Sequence, residues 1–321
     1  MTRVYTSISE AAEKLERSVV TIGNFDGMHR GHQAIFGQVV EQAARLGATS
    51  VAMTFEPHPV AFFRPEAAPA KLSVPPAKYG LMGRYGVDAV VALRFDEALA
   101  SMSPEAFIKE VLVEALGAVE VVVGEDFRFG HRRAGTTELL REEGARYGLK
   151  VVVPKLVEVG GAVVSSTRVR GLVKAGELAE VRELLGRPHR LTGEVVHGEA
   201  RGRALGFPTA NLEVVEGMAL PPDGVYASRL AKGGDERGWR AITNIGTRPT
   251  FGGGARTVET FVLEEGVSDE LDLYGEQVML ALYMRVREEK RFESPQALVA
   301  QIKSDVAQVR GFFDEGIDGE G

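Results

Sequence analysis

The chain has 321 residues, with 38 basic and 45 acidic side chains and a formal net charge of −7. This length is sufficient for two domains with separate hydrophobic cores. The acidic balance argues against a nucleic-acid-binding protein, which normally carries a basic surface. Since the chain contains no cysteine, disulfides, zinc–thiolate sites and thiol nucleophiles are excluded.

The N-terminus lacks the basic-then-apolar pattern of a signal peptide, and no apolar run approaches the roughly 20 residues that span a bilayer. We therefore expect a soluble cytoplasmic protein without a membrane partner. The last residues, 314–321, are rich in glycine and acid and are predicted to form a flexible tail.

Up to about residue 186, short apolar runs typical of strands alternate with helical stretches. The predicted strands are Val19–Ile22, Thr49–Phe55, Asp88–Leu93, Val119–Val123 and Lys150–Val153. The predicted helices include Gln33–Leu46, Pro104–Leu116 and Thr137–Tyr147. Apolar strands separated by helices indicate a parallel sheet covered on both faces. Ligands of such sheets bind beyond the carboxyl ends of the strands.

After Gly186-Arg-Pro188 the pattern changes to strand-like runs separated by short Gly/Pro turns. These runs are Leu191–Val196, Asn211–Val215, Val225–Leu230, Arg240–Asn244, Thr257–Leu263 and Gln277–Met284. Such spacing is typical of an antiparallel barrel or sandwich, and one helix from Ser294 to about Phe312 closes the chain. The predicted organisation is an α/β domain over residues 1–186, an all-β domain over 187–313 and the tail.

The first predicted strand leads into Gly23-Asn-Phe-Asp-Gly-Met-His-Arg-Gly-His32, just before a predicted helix. His29 and His32 are three apart, so both rings can face one ligand. Backbone N–H groups at a helix start attract phosphate, and glycines allow a close approach. We predict a nucleotide phosphate site here; the alternative is a helix cap beside a surface histidine. Its predicted members are Gly23, Asn24, Phe25, Asp26, His29, Gly31 and His32.

Three further segments are placed to meet this turn: Phe55–Pro59, Gly124–Gly130 and Ser165–Arg170. The last has three hydroxyls at a predicted helix start, Ser165, Ser166 and Thr167, which together with arginine can hold phosphate oxygens. Taken singly, each segment is an ordinary turn or helix cap. Their common position after strands of one parallel sheet favours a shared site.

In the second half, Gly202–Asn211 is rich in glycine and ends on two neutral oxygen donors. Thr209 and Asn211 alternate along a strand start and therefore face one side. Neutral oxygens beside phosphate suit Mg²⁺, which keeps several waters and takes few protein ligands. The chain has no Gly-Lys dipeptide, so a Walker A loop is excluded. The alternative is a β-turn followed by a polar strand.

The four N-terminal segments resemble, in order, the motifs of the FAD synthetase module of bacterial bifunctional riboflavin kinase/FAD synthetases. The resemblance implies a Rossmann-like nucleotidylyltransferase domain in which the FMN phosphate attacks the α-phosphorus of ATP. It implies that His29 and His32 stabilise the ATP phosphates and that Arg170 steadies the leaving pyrophosphate. The residues implied for the flavin and nucleotide pockets are Phe55, His58, Asp126 and Phe129.

Pro208-Thr-Ala-Asn211 resembles a riboflavin kinase motif, and the family's further motifs follow in order. They are Gly224–Tyr226, Asn244–Thr250, Val258–Thr260, Leu273–Gly275 and Lys290–Phe292. The likeness implies a six-stranded, Greek-key type barrel that phosphorylates riboflavin, with Glu259 as general base and Thr209 and Asn211 on Mg²⁺. Also implied are phosphate contacts from Gly202 and Gly206 and flavin contacts from Arg285 and Arg291.

The resemblance spans roughly residues 15–312 and implies riboflavin, FMN and ATP as small-molecule partners, with a homo-oligomer left open. The chain departs from the family at Thr136 and Thr137, near the usual place of an acid, and at Phe261, where many relatives have histidine. Three alternatives compete: a chain with one active module, a flavin- or nucleotide-binding regulator without turnover, and a nucleotidylyltransferase for another substrate. The last leaves the second half unexplained.

Overall fold

The computed structural model describes residues 2–198, 205–233, 238–247, 256–264 and 273–316. Packing divides the chain into two units. The first comprises Met1–Pro69 and Pro75–Ser166, and the second comprises Ala70–Val74 and Thr167–Gly321. Among the described residues, no helix is long and apolar enough to cross a membrane.

A six-stranded parallel sheet forms the centre of the first unit. Its strands are β1 (Arg3–Tyr5), β2 (Ser18–Ile22), β3 (Thr49–Glu56), β4 (Ala89–Arg94), β5 (Ala118–Val122) and β6 (Lys150–Val152). The spatial order is β1-β4-β3-β2-β5-β6. All neighbouring strands pair in parallel, so the carboxyl ends lie at one edge. A small antiparallel hairpin follows, made of β7 (Glu158–Val159) and β8 (Ala162–Val163).

Helices cover both faces of this sheet. They are α1 (Ile8–Ala12), α2 (Arg30–Leu46), α3 (Pro59–Phe63), α4 (Ala77–Arg84), α5 (Glu97–Ser101), α6 (Pro104–Ala106) and α7 (Thr137–Ala145). Helix α6 continues as a π-helix over Phe107–Ala115. On one face, Leu112 and Leu140 pack against Val20 and Met53. On the other face, α2 and α4 pack against a second set of sheet residues.

The five strands and three helices predicted for the first half are confirmed, with small shifts at their ends. Strand β1 is not predicted, because its three residues are too few to show a pattern. The predicted helix over Pro104–Leu116 is present, but after Ala106 it is a wider π-helix. At its end, for example, the N–H of Leu116 bonds to the carbonyl of Val111, five residues earlier.

Six antiparallel strands close into a barrel in the second unit. They are β9 (His189–Val196), β10 (Ala210–Val214), β11 (Gly224–Lys232), β12 (Trp239–Thr247), β13 (Arg256–Val262) and β14 (Gln277–Glu288). Their order around the barrel is β10-β13-β12-β11-β14-β9. Alternate residues such as Leu191, Leu212, Tyr226 and Val258 fill the interior. The choice between barrel and sandwich is thereby settled as a barrel.

Two helices and one short segment also pack within this unit. The helices are α8 (Ser166–Ala175) and α9 (Leu178–Leu185), and Leu178 joins the barrel core. In the segment Ala70–Val74, Lys71 N–H bonds to the carbonyl of Gly217 at 2.7 Å. The division therefore differs from the boundary predicted near residue 186, because a helix in an α/β pattern can pack against either neighbour.

The last helix, α10 (Pro295–Asp314), covers the outside of the barrel. Val309 and Phe313 pack against Val225 and Tyr283 on the outer face of two strands. The guanidinium carbon of Arg229 lies 5.0 Å from the centre of the Phe313 ring. Apolar burial and this cation–π contact both hold the helix in place.

We predict that Phe313→Ala lowers the free energy of unfolding of the second unit by about 3–5 kcal/mol, because a buried ring is replaced by a cavity. The only tryptophan of the chain, Trp239, lies on β12. Its fluorescence during urea unfolding therefore reports on this unit.

Gln308→Ala is the matched control, since Gln308 is exposed on the same helix. It should change the free energy of unfolding by less than about 0.5 kcal/mol. Equal losses in the two variants would contradict a packing role for Phe313.

Candidate active sites

A strained turn leads from β2 into α2. Phe25 and Met28 adopt left-handed φ angles of 48° and 45°, a conformation that costs non-glycine residues roughly 1–2 kcal/mol each. Both side chains are buried. The Phe25 ring lies edge-on to His32 at 5.3 Å and to Phe36 at 4.9 Å between ring centres. The core of the first unit therefore holds the strained turn in place.

His29 and His32 stack on each other, with ring centres 3.6 Å apart and planes inclined by 20°. His29 is the N-cap of α2, and its Nδ1 accepts from the backbone N–H of His32 at 3.4 Å. An accepting Nδ1 carries no proton, so the neutral ring carries its proton on Nε2. His29 is thus a helix cap and is buried, and its neutral ring is a donor through Nε2–H.

Two predicted glycines of the turn lie close against neighbouring rings. A Cβ on Gly31 would stand 3.1 Å from the His29 ring, and one on Gly23 would stand 3.0 Å from the Phe25 ring. Asp26 is buried, and its carbonyl accepts from Ser166 at 2.8 Å. These residues shape the turn, and their contact with a nucleotide stays a prediction.

Aromatic side chains gather after β3. His58 is the N-cap of α3, with Nδ1 accepting from the N–H of Val60 at 3.1 Å. Phe62 and Phe63 are exposed by 39% and 62% and pack edge-on around Phe95, which also contacts Phe55 at 5.8 Å. An exposed aromatic surface suits a planar ring system. Phe62 and Phe63 were not predicted, although two adjacent phenylalanines shortly after Phe55–Pro59 are a visible signal in the sequence.

An ion pair supports the exit of β3. Lys78 is buried, and its Nζ lies 2.8 Å from Oε1 of Glu56. Burial and the Glu56 charge raise the pKa of the neighbouring Tyr79 to about 12. The pair joins α4 to the strand end and was not predicted.

The segment Gly124–Gly130 divides between core and surface. Phe129 lies in the core at 7% exposure, with its ring centre 5.4 Å from that of Phe127. Its contact with flavin stays a prediction. Asp126 is exposed and Phe127 is half-buried. Phe127 is therefore the ring of this segment that a ligand can reach.

The departure at Thr136 has a structural explanation. Thr136 is the N-cap of α7, and its Oγ1 accepts from the N–H of Leu139 at 3.2 Å. A backbone N–H and the Thr136 and Thr137 hydroxyls lower the pKa of Glu138. The two threonines thus form the start of a helix.

The segment Ser165–Arg170 follows the hairpin β7–β8 rather than a strand of the parallel sheet, which corrects its predicted position. The single hydroxyl proton of Ser166 is committed to Asp26. Ser165 is half-buried and Thr167 is exposed. Arg170 belongs to the second unit, where its Nε donates to the carbonyl of Ala70 at 2.6 Å. Its role towards pyrophosphate stays a prediction.

In the barrel, strand register places Glu259 between two amides. Glu259 on β13 lies opposite Asn211 on β10 and opposite Asn244 on β12. Val258, next to Glu259, faces the barrel core, so the three polar residues share the outer face. Paired residues have Cβ atoms roughly 4.5–5.5 Å apart. Asn244 was quoted within a motif, but its place beside Glu259 appears only in the register.

Glycines give these amides room. A Cβ on Gly198 would stand 2.1 Å from Nδ2 of Asn211. A Cβ on Gly246 would stand 2.9 Å from Oε1 of Glu289 and 3.5 Å from Nδ2 of Asn244. Glu289 therefore supplies a second carboxylate close to Asn244, in addition to Glu259, and it was not predicted.

The residues predicted for phosphate lie at the start of β10. Thr209 is half-buried, two residues before Asn211. Gly206 is exposed and has a φ of 85°, which favours glycine. Gly202 lies outside the described residues. Phe261 makes an edge-on contact with Phe207, with the ring centres 5.5 Å apart.

Arg285, predicted as a flavin contact, is engaged in the barrel. Its Nη2 donates to the carbonyl of Asp223 at 2.6 Å. Burial raises the pKa of the nearby Tyr226, and the Arg285 charge opposes that shift. Arg291 is exposed. Arg285 therefore helps to hold the turn before β11, and the flavin contacts of Arg285 and Arg291 stay predictions.

A charged network fastens the segment before α10. Arg287 Nε donates to Oδ2 of the buried Asp305 at 2.8 Å, and Gln301 donates to its Oδ1 at 2.6 Å. Lys290 Nζ lies 5.3 Å from the centre of the Phe292 ring and donates to Gln301. This network fixes the predicted Lys290–Phe292 motif against the last helix.

The oxygen donors of the barrel fit magnesium. Within the described ranges, no group of three or more His, Asp or Glu side chains could hold a metal ion. A dedicated cage is thus absent from that part of the chain. Mg²⁺ bound with nucleotide phosphates needs only one or two protein oxygens. Asn211, beside Glu259 and near Thr209, meets that need.

The chain matches two known protein families, one in each half. Residues 11–168 match the FAD synthetase family, and residues 185–313 match the riboflavin kinase family. The two matches lie in the same order as the sheet and the barrel.

Full-length relatives carry both modules. The bifunctional riboflavin kinase/FMN adenylyltransferase of Pseudomonas fluorescens is 40% identical over 293 residues, covering 91% of this chain and 92% of its own. Its counterpart in Escherichia coli K12 is 38% identical over 307 residues, covering 96% of each chain. A crystal structure described as a macrolide-efflux protein from Streptococcus pneumoniae shows the same fold, with a TM-score of 0.82 and 31% identity over 96% of this chain and 98% of that one.

The chain therefore belongs to the family of bifunctional riboflavin kinase/FMN adenylyltransferases, with the adenylyltransferase module in its first half and the kinase module in its second.

Proposed function

We propose that the turn carrying His29 and His32 catalyses transfer of the AMP group from ATP to FMN. An FMN phosphate oxygen forms the new bond to the α-phosphorus as the bond to pyrophosphate breaks, so no protein nucleophile is required. The carrying observation is the cap at His29, which directs its proton to Nε2. A fixed donor of this kind stabilises charge that develops on the phosphates.

The flavin of FMN is proposed to meet the aromatic surface after β3. Phe55 and His58 belong to that surface or its border, and Phe62 and Phe63 supply exposed rings. Asp126 and Phe127 are the accessible members of the segment after β5. Planar rings stack favourably on such side chains.

Asn211, Glu259 and Asn244, on the outer face of β10, β13 and β12, are proposed to form the site that phosphorylates riboflavin. Glu259 accepts the proton of the riboflavin 5′-hydroxyl as its oxygen bonds to the γ-phosphorus of ATP and ADP leaves. A placed base contributes about 10²–10⁴ in rate. The supporting observation is the register that puts Glu259 between Asn211 and Asn244, whose amides can hold the carboxylate and the metal in place.

ATP is the co-substrate of both modules, and Mg²⁺ is proposed as its metal. In the kinase module, Thr209 and Asn211 would hold the ion. When bound, Mg²⁺ neutralises charge on the transferred phosphate. A cytoplasmic setting, where ATP is abundant, stays a prediction, as does a homo-oligomer.

The two sites are separated by a pair of variants, of which the first is His29→Asn. Asparagine is a good N-cap, so α2 keeps its cap while the Nε2 donor is removed. We expect the rate of FAD formation from added FMN to fall by about 10²–10³. Riboflavin phosphorylation by the same chain should continue, as measured by chromatographic separation of the flavins in the presence of ATP and Mg²⁺.

Retention of FAD formation in His29→Asn would mean that His29 serves only as a helix cap. Loss of both activities would show a general folding defect and would leave the assignment unsupported.

The second variant, Glu259→Gln, should give the opposite result. Because the amide cannot take the hydroxyl proton, riboflavin phosphorylation is expected to fall by about 10²–10⁴. Conversion of added FMN to FAD should be unchanged. If FMN still forms from riboflavin at the normal rate, Glu259 is not the base.

Gly198→Ala tests the metal assignment. The added Cβ would collide with the Asn211 amide, so the Mg²⁺ concentration for half-maximal riboflavin phosphorylation should rise, by about tenfold if one ligand contact worth 1.4 kcal/mol is lost. The Mg²⁺ dependence of FAD formation should not move. Gly311→Ala, where a Cβ meets no atom within 4 Å, is the control, and an equal shift there would sink the assignment.

A further inference from the structure

The turn between β2 and α2 is held from outside by side chains. Three of its carbonyl oxygens each accept a hydrogen bond: Asn24 from Thr54, Asp26 from Ser166, and Met28 from Gln33. The donor–acceptor distances are 3.3, 2.8 and 2.8 Å, respectively. Each donor comes from a different element: β3, the start of α8, and the first turn of α2.

These bonds act where the backbone is strained. The Asn24 carbonyl belongs to the planar peptide group that precedes Phe25, and the Met28 carbonyl belongs to the group that follows Met28. Phe25 and Met28 are the left-handed residues of the turn. Since a peptide group is planar, fixing its carbonyl fixes the whole plane. Thr54 and Gln33 therefore help to impose the left-handed backbone.

Thr54 is completely buried on β3, so it cannot touch a substrate. Its hydroxyl donates to the carbonyl of Asn24, the residue directly before Phe25. The Phe25 ring in turn lies edge-on to His32. We propose that Thr54 is a positioning residue of FMN adenylyl transfer, which sets the turn backbone and through it the placement of His32. Gln33 supports the same turn at its other end. The inference rests on the proposed catalytic role of the two histidines.

The sheet itself provides a matched control. Thr21 on β2 is also buried, and within the described residues its Oγ1 has no hydrogen-bond partner. Thr21 pairs with Ala52, and Thr54 lies two residues further along β3, so both threonines face the same side of the sheet. The two hydroxyls differ mainly in whether they hold the turn.

The test compares Thr54→Val, Thr54→Ser and Thr21→Val in the full chain. Valine keeps the shape and removes the hydroxyl. For Thr54→Val we expect kcat of FAD formation to fall roughly tenfold to a hundredfold, because small displacements of catalytic groups are costly, with KM for FMN and ATP changed by less than about twofold. Thr54→Ser should restore kcat, Thr21→Val should match the parent chain, and riboflavin phosphorylation should be unaffected throughout.

Normal kcat in Thr54→Val, or a loss confined to KM, would overturn the proposal. So would equal losses in the Thr54→Val and Thr21→Val chains, or a parallel loss of riboflavin phosphorylation. Should Thr54→Val fail to fold, Gln33→Met, which removes the other donor from a half-buried position, must lower kcat of FAD formation. Full activity in His29→Asn would instead refute the underlying role of the histidines.

Discussion

Strand pairing is the constraint on which both sites depend. In the first unit, parallel pairing of β2 with β3 brings their carboxyl ends to one edge, where the histidine turn begins. In the second unit, antiparallel pairing of β13 with β10 and β12 puts Glu259 between Asn211 and Asn244. Because side chains alternate, a slip of one residue would turn Glu259 into the barrel core. Backbone hydrogen bonds thus determine where the chemistry can occur.

The first site uses its polar groups for structure and for chemistry at once. His29 and His58 both cap helices through Nδ1, which leaves Nε2–H as the donor of each neutral ring. The hydroxyl of Ser166 donates its hydrogen bond to the carbonyl of Asp26. Left-handed backbone at Phe25 persists because the core and these bonds over-determine it. Because these groups are ordered before the substrates bind, little reorganisation of the site is needed during the reaction.

Local signals in the sequence were sufficient to predict the sheet, the barrel strands and the histidine turn. They could not separate Phe127 from Phe129, since either ring of a Phe-Arg-Phe run can face the core and only packing decides. Nor could they pair Asn244 with Glu259, because register is a relation between strands distant in the chain. Arg285 carries the same charge whether it meets a ligand or, as here, a backbone carbonyl.

Periodicity also hides the way the chain is shared between its two units. Ala70–Val74 leaves the first unit to pair with the second, where Lys71 bonds to Gly217 and receives a bond from Ala219. Leu178 of α9 completes the barrel core. A kinase module that begins at residue 187 would lack both the Ala70–Val74 segment and Leu178. Its apolar surface would be exposed and backbone groups such as those of Gly217 and Ala219 would lose their partners, which would destabilise the barrel. The two activities can therefore be separated by point substitution more cleanly than by truncation.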